Sequence, residues 1–438
     1  MTDQISRLPL FSLTAKVSEN GHLVIGGCDT VELAAEFGTP LYVFDEAGLR
    51  NKCAEFKTEF GRRYADTTVI YACKAFINKA LALIFEEEGL GLDIVSGGEL
   101  GIIQSAGFPL ERVYFHGNNK SAEELRLALE WGVGRIVVDN FHELKILGEI
   151  ARQKGCTPDI LLRLSPGVDP HTHKYITTGN IDSKFGFPLA NGEEAVTAAI
   201  SLSNLNLVGL HFHLGSLLFE IEPYQQAIDF ILSFADEMKR KHGFKLGELN
   251  IGGGFAVQYT LDSPAPTITE YAEAVASNIT RKCQELKLEL PRLIIEPGRS
   301  MVAVAAAALY EVGASKDIPG VRRYVSVDGG MADNIRPALY GARYEAVVAN
   351  KVREKEAGEV TIAGKFCESG DILIRNISLP ALVAGDILAM PGCGAYCLPQ
   401  ACNYNASFKV AVALVKDGKA RLIRRRETIE DLIRCDLI

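Results

Sequence analysis

Between about residue 45 and residue 298 the chain repeats one pattern of apolar and polar positions. A short β-branched apolar run stops at Gly, Ser, Asn or a charged residue, and a segment with apolar positions every three to four residues usually follows. The runs are Thr68–Ala75 (TVIYACKA), Gly91–Ser96 (GLDIVS), Arg112–Gly117 (RVYFHG), Arg135–Asn140 (RIVVDN), Asp159–Ser165 (DILLRLS), Leu207–Gly215 (LVGLHFHLG), Glu248–Gly253 (ELNIGG) and Arg292–Gly298 (RLIIEPG), and they predict eight strands. Helical periodicity predicts helices over Asn78–Glu88, Gly98–Ala106, Ala122–Trp131, His142–Gln153, Glu222–Lys241 and Thr267–Leu288, with Ser121 a capping residue before SAEEL. Eight alternating units within about 250 residues point to a closed (β/α)8 barrel. An open doubly wound sheet would need a glycine-rich turn after its first strand, and the sequence has none there.

Beyond residue 300 the texture changes. The runs YVSVDGG, GEVTIAG, DILAMPG and KVAVALVKDGKARLIRRRE, separated by Gly, Asp and Pro, read as an antiparallel β domain. The early segment NGHLVIGG is expected to join it, because a lone hairpin is unstable. The expected organisation is a barrel over 45–298 and a β domain built from 1–44 with 299–438.

Composition narrows the partners. Against 46 Lys+Arg stand 55 Asp+Glu, a net charge of −9 with no basic block, which argues against nucleic acid and against an anionic membrane surface. The opening MTDQISRLPLFSLTAK lacks a charged-then-apolar signal pattern, and the longest apolar run, Met301–Leu309, is too short to span a bilayer. A cytoplasmic protein is expected. The ten cysteines follow no framework spacing, so reduced thiols are expected. The dense group Cys393, Cys397 and Cys402 lacks the close pairs and fourth ligand of a zinc site and reads as buried thiols; no metal is expected.

In such barrels the reactive groups sit at the C-terminal strand ends. There the sequence places Lys74, then His116–Gly117–Asn118–Asn119, Arg163, His211 and His213, the triplet Gly252–Gly253–Gly254, and Glu296–Pro297–Gly298–Arg299. A lysine at the apolar end of a core strand either snorkels to water or serves as a Schiff-base amine with a depressed pKa. The glycine triplet is either a tight turn or a nest of N–H groups for a phosphate. Glu296 is a candidate partner for a protonated pyridine nitrogen, and His213 for a ring stacked against it. Amine, phosphate cradle and carboxylate together fit pyridoxal 5′-phosphate.

These residues lie in motifs that resemble the fold-type III pyridoxal-phosphate-dependent decarboxylases, and among them the branch that acts on diaminopimelate. The matching segments are YACKA (71–75), GLDIVSGGEL (91–100), HGNNKS (116–121), SPGVDPHTH (165–173), DSKFG (182–186), GLHFHLGS (209–216), IGGGF (251–255), EPGRS (296–300), DNIRPALYG (333–341), CESGD (367–371), GAY (394–396) and NYN (403–405). The resemblance implies that Lys74 holds the cofactor as a Schiff base, that His213 stacks on its ring and that Glu296 pairs with its nitrogen. It assigns the phosphate to Ser216, Gly253, Gly254 and Tyr396. It assigns the distal carboxylate of the substrate to Arg299, Arg336 and Tyr340, and the distal amino group to Glu368. Cys367 is implied as the acid that returns a proton to Cα, reaching in from the second subunit of a homodimer with shared sites. The implied reaction is decarboxylation of meso-2,6-diaminopimelate to L-lysine, the last step of lysine biosynthesis.

Two places depart from the family pattern. Pro399–Cys402 stands where a Ser-Met-Ala-Ser-like segment is usual, and Leu217 where glutamine is common. They keep open a same-fold decarboxylase acting on ornithine, lysine or a carrier-protein-linked amino acid. A racemase-like activity is disfavoured by CESGD. A non-catalytic carrier of the cofactor is disfavoured by the presence of a whole second domain. The paired His171 and His173 carry no assigned role.

Overall fold

The computed structural model describes residues 4–168 and 183–438. His171 and His173, and parts of the SPGVDPHTH and DSKFG motifs, lie outside the described residues. The chain separates into two compact units: Cys53–Ala256 with Ala265–Gly298, and Met1–Lys52 with Val257–Pro264 and Arg299–Ile438.

The first unit is the expected barrel. Its strands are β1 (Thr67–Ala72), β2 (Gly91–Ile94), β3 (Val113–Phe115), β4 (Arg135–Val138), β5 (Asp159–Ser165), β6 (Asn206–His211), β7 (Glu248–Asn250) and β8 (Arg292–Ile295). Each pairs in parallel with the next, and β8 returns to β1 with Leu293 opposite Thr67, so the sheet closes. The six expected helices are present, with Ala122–Trp131 starting at a Ser121–Glu124 capping box and ending on left-handed Gly132. A helix over Gly192–Ser201 and a two-residue strand Phe187–Pro188 add to them. Most strands end two to four residues before the sequence runs do. Lys74 in particular lies beyond β1, in the single 3-10 turn Cys73–Ala75.

Strand alternation explains how the barrel floor is built. Ile70, Tyr114, Val137, Leu161 and Ile294 form one apolar layer inside the ring. The side chain two residues further along a strand points the same way. Stepping two residues from Tyr114, Val137, Leu161 and Ile294 gives His116, Asp139, Arg163 and Glu296. A polar layer therefore sits on an apolar plug, toward the C-terminal end. At the opposite end Arg135 pairs with Glu248 and Asp159 at 2.8 and 2.9 Å, a structural ion network closing the rim.

The second unit is a mixed sheet, a correction to the antiparallel expectation. Its order is Ile372–Leu379, Gly358–Ala363, Arg322–Val327, Ala306–Ile318, Leu41–Asp45, Ala411–Lys416 and Lys419–Arg424. Two neighbouring pairs run parallel, Arg322–Val327 with Gly358–Ala363 and Leu41–Asp45 with Ala411–Lys416. An N-terminal strand does join the sheet, but it is Leu41–Asp45. NGHLVIGG instead forms a small sheet with Lys16–Val17 and Cys28–Asp29. Both flanks of Leu41–Asp45 are already occupied, so the hairpin packs face-on, laying Leu23 and Ile25 over Leu41, Val43, Ala307, Leu309, Ala411 and Ala413. Tyr42 and Tyr310 alternate onto the other face, where both hydroxyls donate to Asp333.

In the barrel unit the residue after the glycine triplet anchors the turn. Phe255 is 2 % exposed and lies 5.1 to 5.9 Å from the rings of Phe56, Phe60, Tyr224 and Tyr271. Truncation to alanine removes these contacts and leaves a void. Phe255→Ala is expected to destabilise the chain by about 3–5 kcal/mol, measured by denaturant unfolding; a loss below about 1 kcal/mol would show that the cluster does not hold the turn.

Candidate functional site

In the barrel, the polar layer converges on Glu296. This carboxylate is 3 % exposed, and His116 Nε2 lies 2.9 Å and His211 Nε2 3.5 Å from its oxygens. Asn250 Nδ2, at the end of β7, donates to Glu296 Oε1 at 2.7 Å and uses its own Oδ1 to accept from the Gly252 amide at 2.9 Å. Burial alone would push the Glu296 pKa up, but the two imidazoles hold it well below the usual carboxylate range. His211 behaves oppositely: burial drives it down to about 3, so it stays neutral. The two rings meet edge to face at 4.8 Å.

Lys74 is less enclosed, with its side chain 37 % exposed and Nζ 3.7 Å from Asp93 Oδ2. Asp93 also lies 3.7 Å from His116 Nε2, and burial outweighs the pull of the imidazole and of Lys74, so its pKa is raised. Neither Asp93 oxygen has a hydrogen-bond donor in the structure. For His213, burial, with Lys74 and Arg163 nearby, holds the pKa well below the imidazole range, so this ring too is neutral. Arg163 sits 3.8 Å from Asp139 and 4.4 Å from the Phe185 ring.

The glycine turn is required by its neighbours. A Cβ on Gly253 would lie 2.1 Å from the Glu296 carbonyl oxygen, and one on Gly254 2.6 Å from that of Gly215, so the chain after β7 approaches the segments after β8 and β6 too closely for a side chain. Of the three amides, that of Gly252 is used by Asn250, and that of Gly253 donates to His213 Nδ1 at 3.2 Å. Ser216 is exposed at the start of the loop after β6, and the next residue, Leu217, adopts a left-handed φ of 58°.

The second unit carries its own cluster. Arg336 is 3 % exposed, yet among the described residues no carboxylate lies in ion-pair range of it. Its charge is instead met by aromatic groups: the guanidinium lies 4.8 Å from the Tyr259 ring centroid and 5.5 Å from that of Tyr344, whose hydroxyl accepts from it. Arg299 lies 4.5 Å from the Tyr396 ring centroid and donates to the Tyr259 hydroxyl at 3.0 Å. The structure thus brings Arg299, Arg336 and Tyr396 into one neighbourhood. Tyr340 is 62 % exposed, and its hydroxyl accepts from Gln400, within the departing segment, at 3.2 Å. Cys367 and Glu368 are exposed on the loop after Gly358–Ala363. Cys367 is held by its backbone to Asn405 and Tyr404 at 3.1 and 3.3 Å, and Glu368 accepts from the Gly370 amide at 3.2 Å. Neither makes a hydrogen bond or ion pair with the two arginines.

Four contributors were not singled out in the sequence: Asp93, Asn250, Tyr259 and Tyr344. Asp93 had a signal, a charge inside the apolar run GLDIVS. Cys393 and Cys397 are buried and Cys402 is exposed, and these three form no cluster of metal-binding geometry.

His116, His211 and Glu296 place one donor atom each within 4.8 Å of one another, which also suits a divalent cation. An amine at Lys74 and a side-chain-free turn have no part in such a centre, whereas they and an ionised buried carboxylate match the three ends of pyridoxal phosphate: aldehyde, phosphate and ring nitrogen. The residues fit the cofactor.

Comparison with known proteins agrees. Residues 46–303 match the family described as pyridoxal-dependent decarboxylase, pyridoxal binding domain. The diaminopimelate decarboxylase of Bacillus subtilis is 47% identical over 426 residues, covering 97% of each chain. The crystal structure of diaminopimelate decarboxylase from M. jannaschii in complex with L-lysine superposes with a TM-score of 0.91 at 35% identity, covering 98% of both chains. A lysine/ornithine decarboxylase from Vibrio vulnificus complexed with putrescine gives 0.75 at 23% identity, covering 92% of this chain and 100% of the other, a likeness of fold alone.

The turn that carries Arg336 begins at Asp333, whose carboxylate accepts from Tyr310 at 2.5 Å and from the Gly330 amide at 2.8 Å. Burial raises its pKa from 3.8 to about 6. Between these values the folded chain holds a proton that the unfolded chain has lost, so this group's contribution to stability falls as pH rises across that window. In Asp333→Asn this loss is absent. The variant's stability relative to the parent is expected to rise by about 3 kcal/mol from acid to neutral pH, read from urea melts at each pH; a constant difference would refute the assignment.

Proposed function

Because the chain belongs to the pyridoxal-dependent decarboxylases, we propose that it removes one carboxylate, as CO2, from meso-2,6-diaminopimelate to give L-lysine, the closing step of lysine biosynthesis. The observation that carries the substrate assignment is Arg336. A buried guanidinium without a carboxylate is costly, and a substrate with a second, distal carboxylate supplies the missing charge. Ornithine and lysine have no such group and would leave it unpaired, which places the diamine-forming reading second.

When bound, pyridoxal phosphate supplies an aldehyde that captures amines and a protonated ring that takes up the electron pair left as CO2 departs. Lys74 holds the aldehyde end through its amine until substrate takes its place. Asp93, beside it, receives the proton traffic of that amine. Glu296 stays ionised against the ring nitrogen, with His116, His211 and Asn250 fixing its orientation, and so keeps that nitrogen protonated. Neutral His213 offers a flat, uncharged face to the ring. Gly253, Gly254 and Ser216 would hold the phosphate, a role that the family motifs also assign to Tyr396. Arg299, Arg336 and Tyr340 bind the distal carboxylate, and Glu368 the distal amino group. Cys367, exposed on its loop, returns a proton to Cα from the second copy of a homodimer. We place the work in the cytoplasm, since the ten cysteines are all free and suit a reducing compartment. No described helix is long and apolar enough to cross a membrane.

Purified protein with pyridoxal phosphate is expected to release CO2 and L-lysine from meso-diaminopimelate but not CO2 from L-lysine or L-ornithine. Lys74→Ala should lose at least about 1,000-fold in kcat together with the cofactor's bound absorbance. Turnover of ornithine at a comparable rate would transfer the assignment to the diamine-forming reading.

A further inference from the structure

After β7 the chain leaves the barrel unit, and residues Val257–Pro264 belong to the second unit before the helix Ile268–Leu286 begins. Tyr259 is at the centre of this excursion. Its hydroxyl oxygen accepts from Arg299 Nη1 at 3.0 Å, while its ring lies 4.8 Å from the Arg336 guanidinium. One side chain therefore contacts both cationic groups, by two different interactions.

Its seat is tightly built. The Tyr344 ring meets it edge to face at 5.6 Å. Gly392, at φ +72°, passes so close that a Cβ there would lie 3.0 Å from the Tyr259 ring, so the glycine makes room for it. The loop is braced by Thr260 donating to Asp262 at 2.6 Å and by the Asp262–Arg343 ion pair at 2.9 Å.

We propose that Tyr259 is a positioning residue that sets the spacing of Arg299 and Arg336 and so fixes specificity for a substrate bearing a distal carboxylate. The proposal rests on the decarboxylase reading given above. Two guanidinium groups repel each other, and each here faces a negative pole of the same tyrosine: the hydroxyl lone pair for one, the π face for the other. Held this way before substrate arrives, the pair needs little rearrangement to bind a carboxylate. The influence falls on the end of the substrate remote from the reacting carbon, so it is expected mainly in KM.

Substitution separates the two interactions. Tyr259→Phe keeps the ring and loses the hydroxyl; Tyr259→Leu loses both. With the holoenzyme, KM for meso-diaminopimelate is expected to rise about 5-fold in the first and about 50-fold in the second, with kcat within about 2-fold of the parent. Inhibition by L-lysine, which keeps the distal carboxylate, should weaken in step with KM, whereas inhibition by cadaverine, a diamine with no carboxylate, should keep its Ki in both. Thermal melts establish that each variant is folded, and if the leucine variant is not, the phenylalanine variant decides alone. An unchanged KM in a folded variant overturns the proposal, as does a parallel shift of KM, kcat and the cadaverine Ki, which would mark general loosening. If the parent enzyme itself fails on diaminopimelate, the function reading falls and this inference with it. An active parent with unaffected variants sinks the inference alone.

Discussion

An ionised carboxylate can stay inside a protein only if groups around it favour its charge, and the barrel is arranged to meet that condition for Glu296. Two imidazoles and an amide reach it from the ends of three other strands. The close approach of Gly253 to its carbonyl fixes the backbone on which it is mounted. The apolar layer beneath keeps water from competing for it, so each contact acts in a low-dielectric setting. Asp93 and His213 then take their protonation tendencies from burial and from the same field, and the cofactor chemistry depends on charges set before any ligand enters.

The second unit solves the complementary problem for a cation. Arg336 is kept buried, with no carboxylate partner among the described residues, by presenting it to aromatic rings and to the Tyr344 hydroxyl. The sheet makes this possible by giving its faces different work. Leu41, Val43, Ala307 and Leu309 fill a dry core on one side, and Tyr42 and Tyr310, one residue out of phase, grip Asp333 on the other. The turn that carries Arg336 is thereby tied to fully buried residues of the sheet.

The barrel was legible because alternation and chain economy agree: a strand of three to seven residues with an apolar inner face has few other destinations. Lys74, His213 and Glu296 could be found at strand ends for the same reason. Asp93 and Asn250 escaped notice because each is one polar residue within an apolar run, and only closure of the ring shows that both point at the same centre. Arg336, Cys367 and Glu368 were reached through the family motifs, since nothing in local hydropathy separates them from surface charges. Strand direction in the second unit was beyond the pattern altogether: Arg322–Val327 and Gly358–Ala363 have the alternation of an antiparallel pair but run parallel. The NGHLVIGG hairpin does join the second unit, as its apolar face requires, but that face signals burial without saying whether by pairing or by stacking.

The excursion of Val257–Pro264 means that the chain passes between the two units four times, after Lys52, Ala256, Pro264 and Gly298. The units are therefore not beads that gene fusion or truncation can exchange. A fragment ending at Gly298 would carry Tyr259 and its loop stripped of Arg299, Arg336 and Gly392, and a transplanted second unit would arrive without them. Modularity in this chain stops short of the two arginines, because the loop that carries Tyr259 is threaded between barrel segments in sequence yet folds with the second unit.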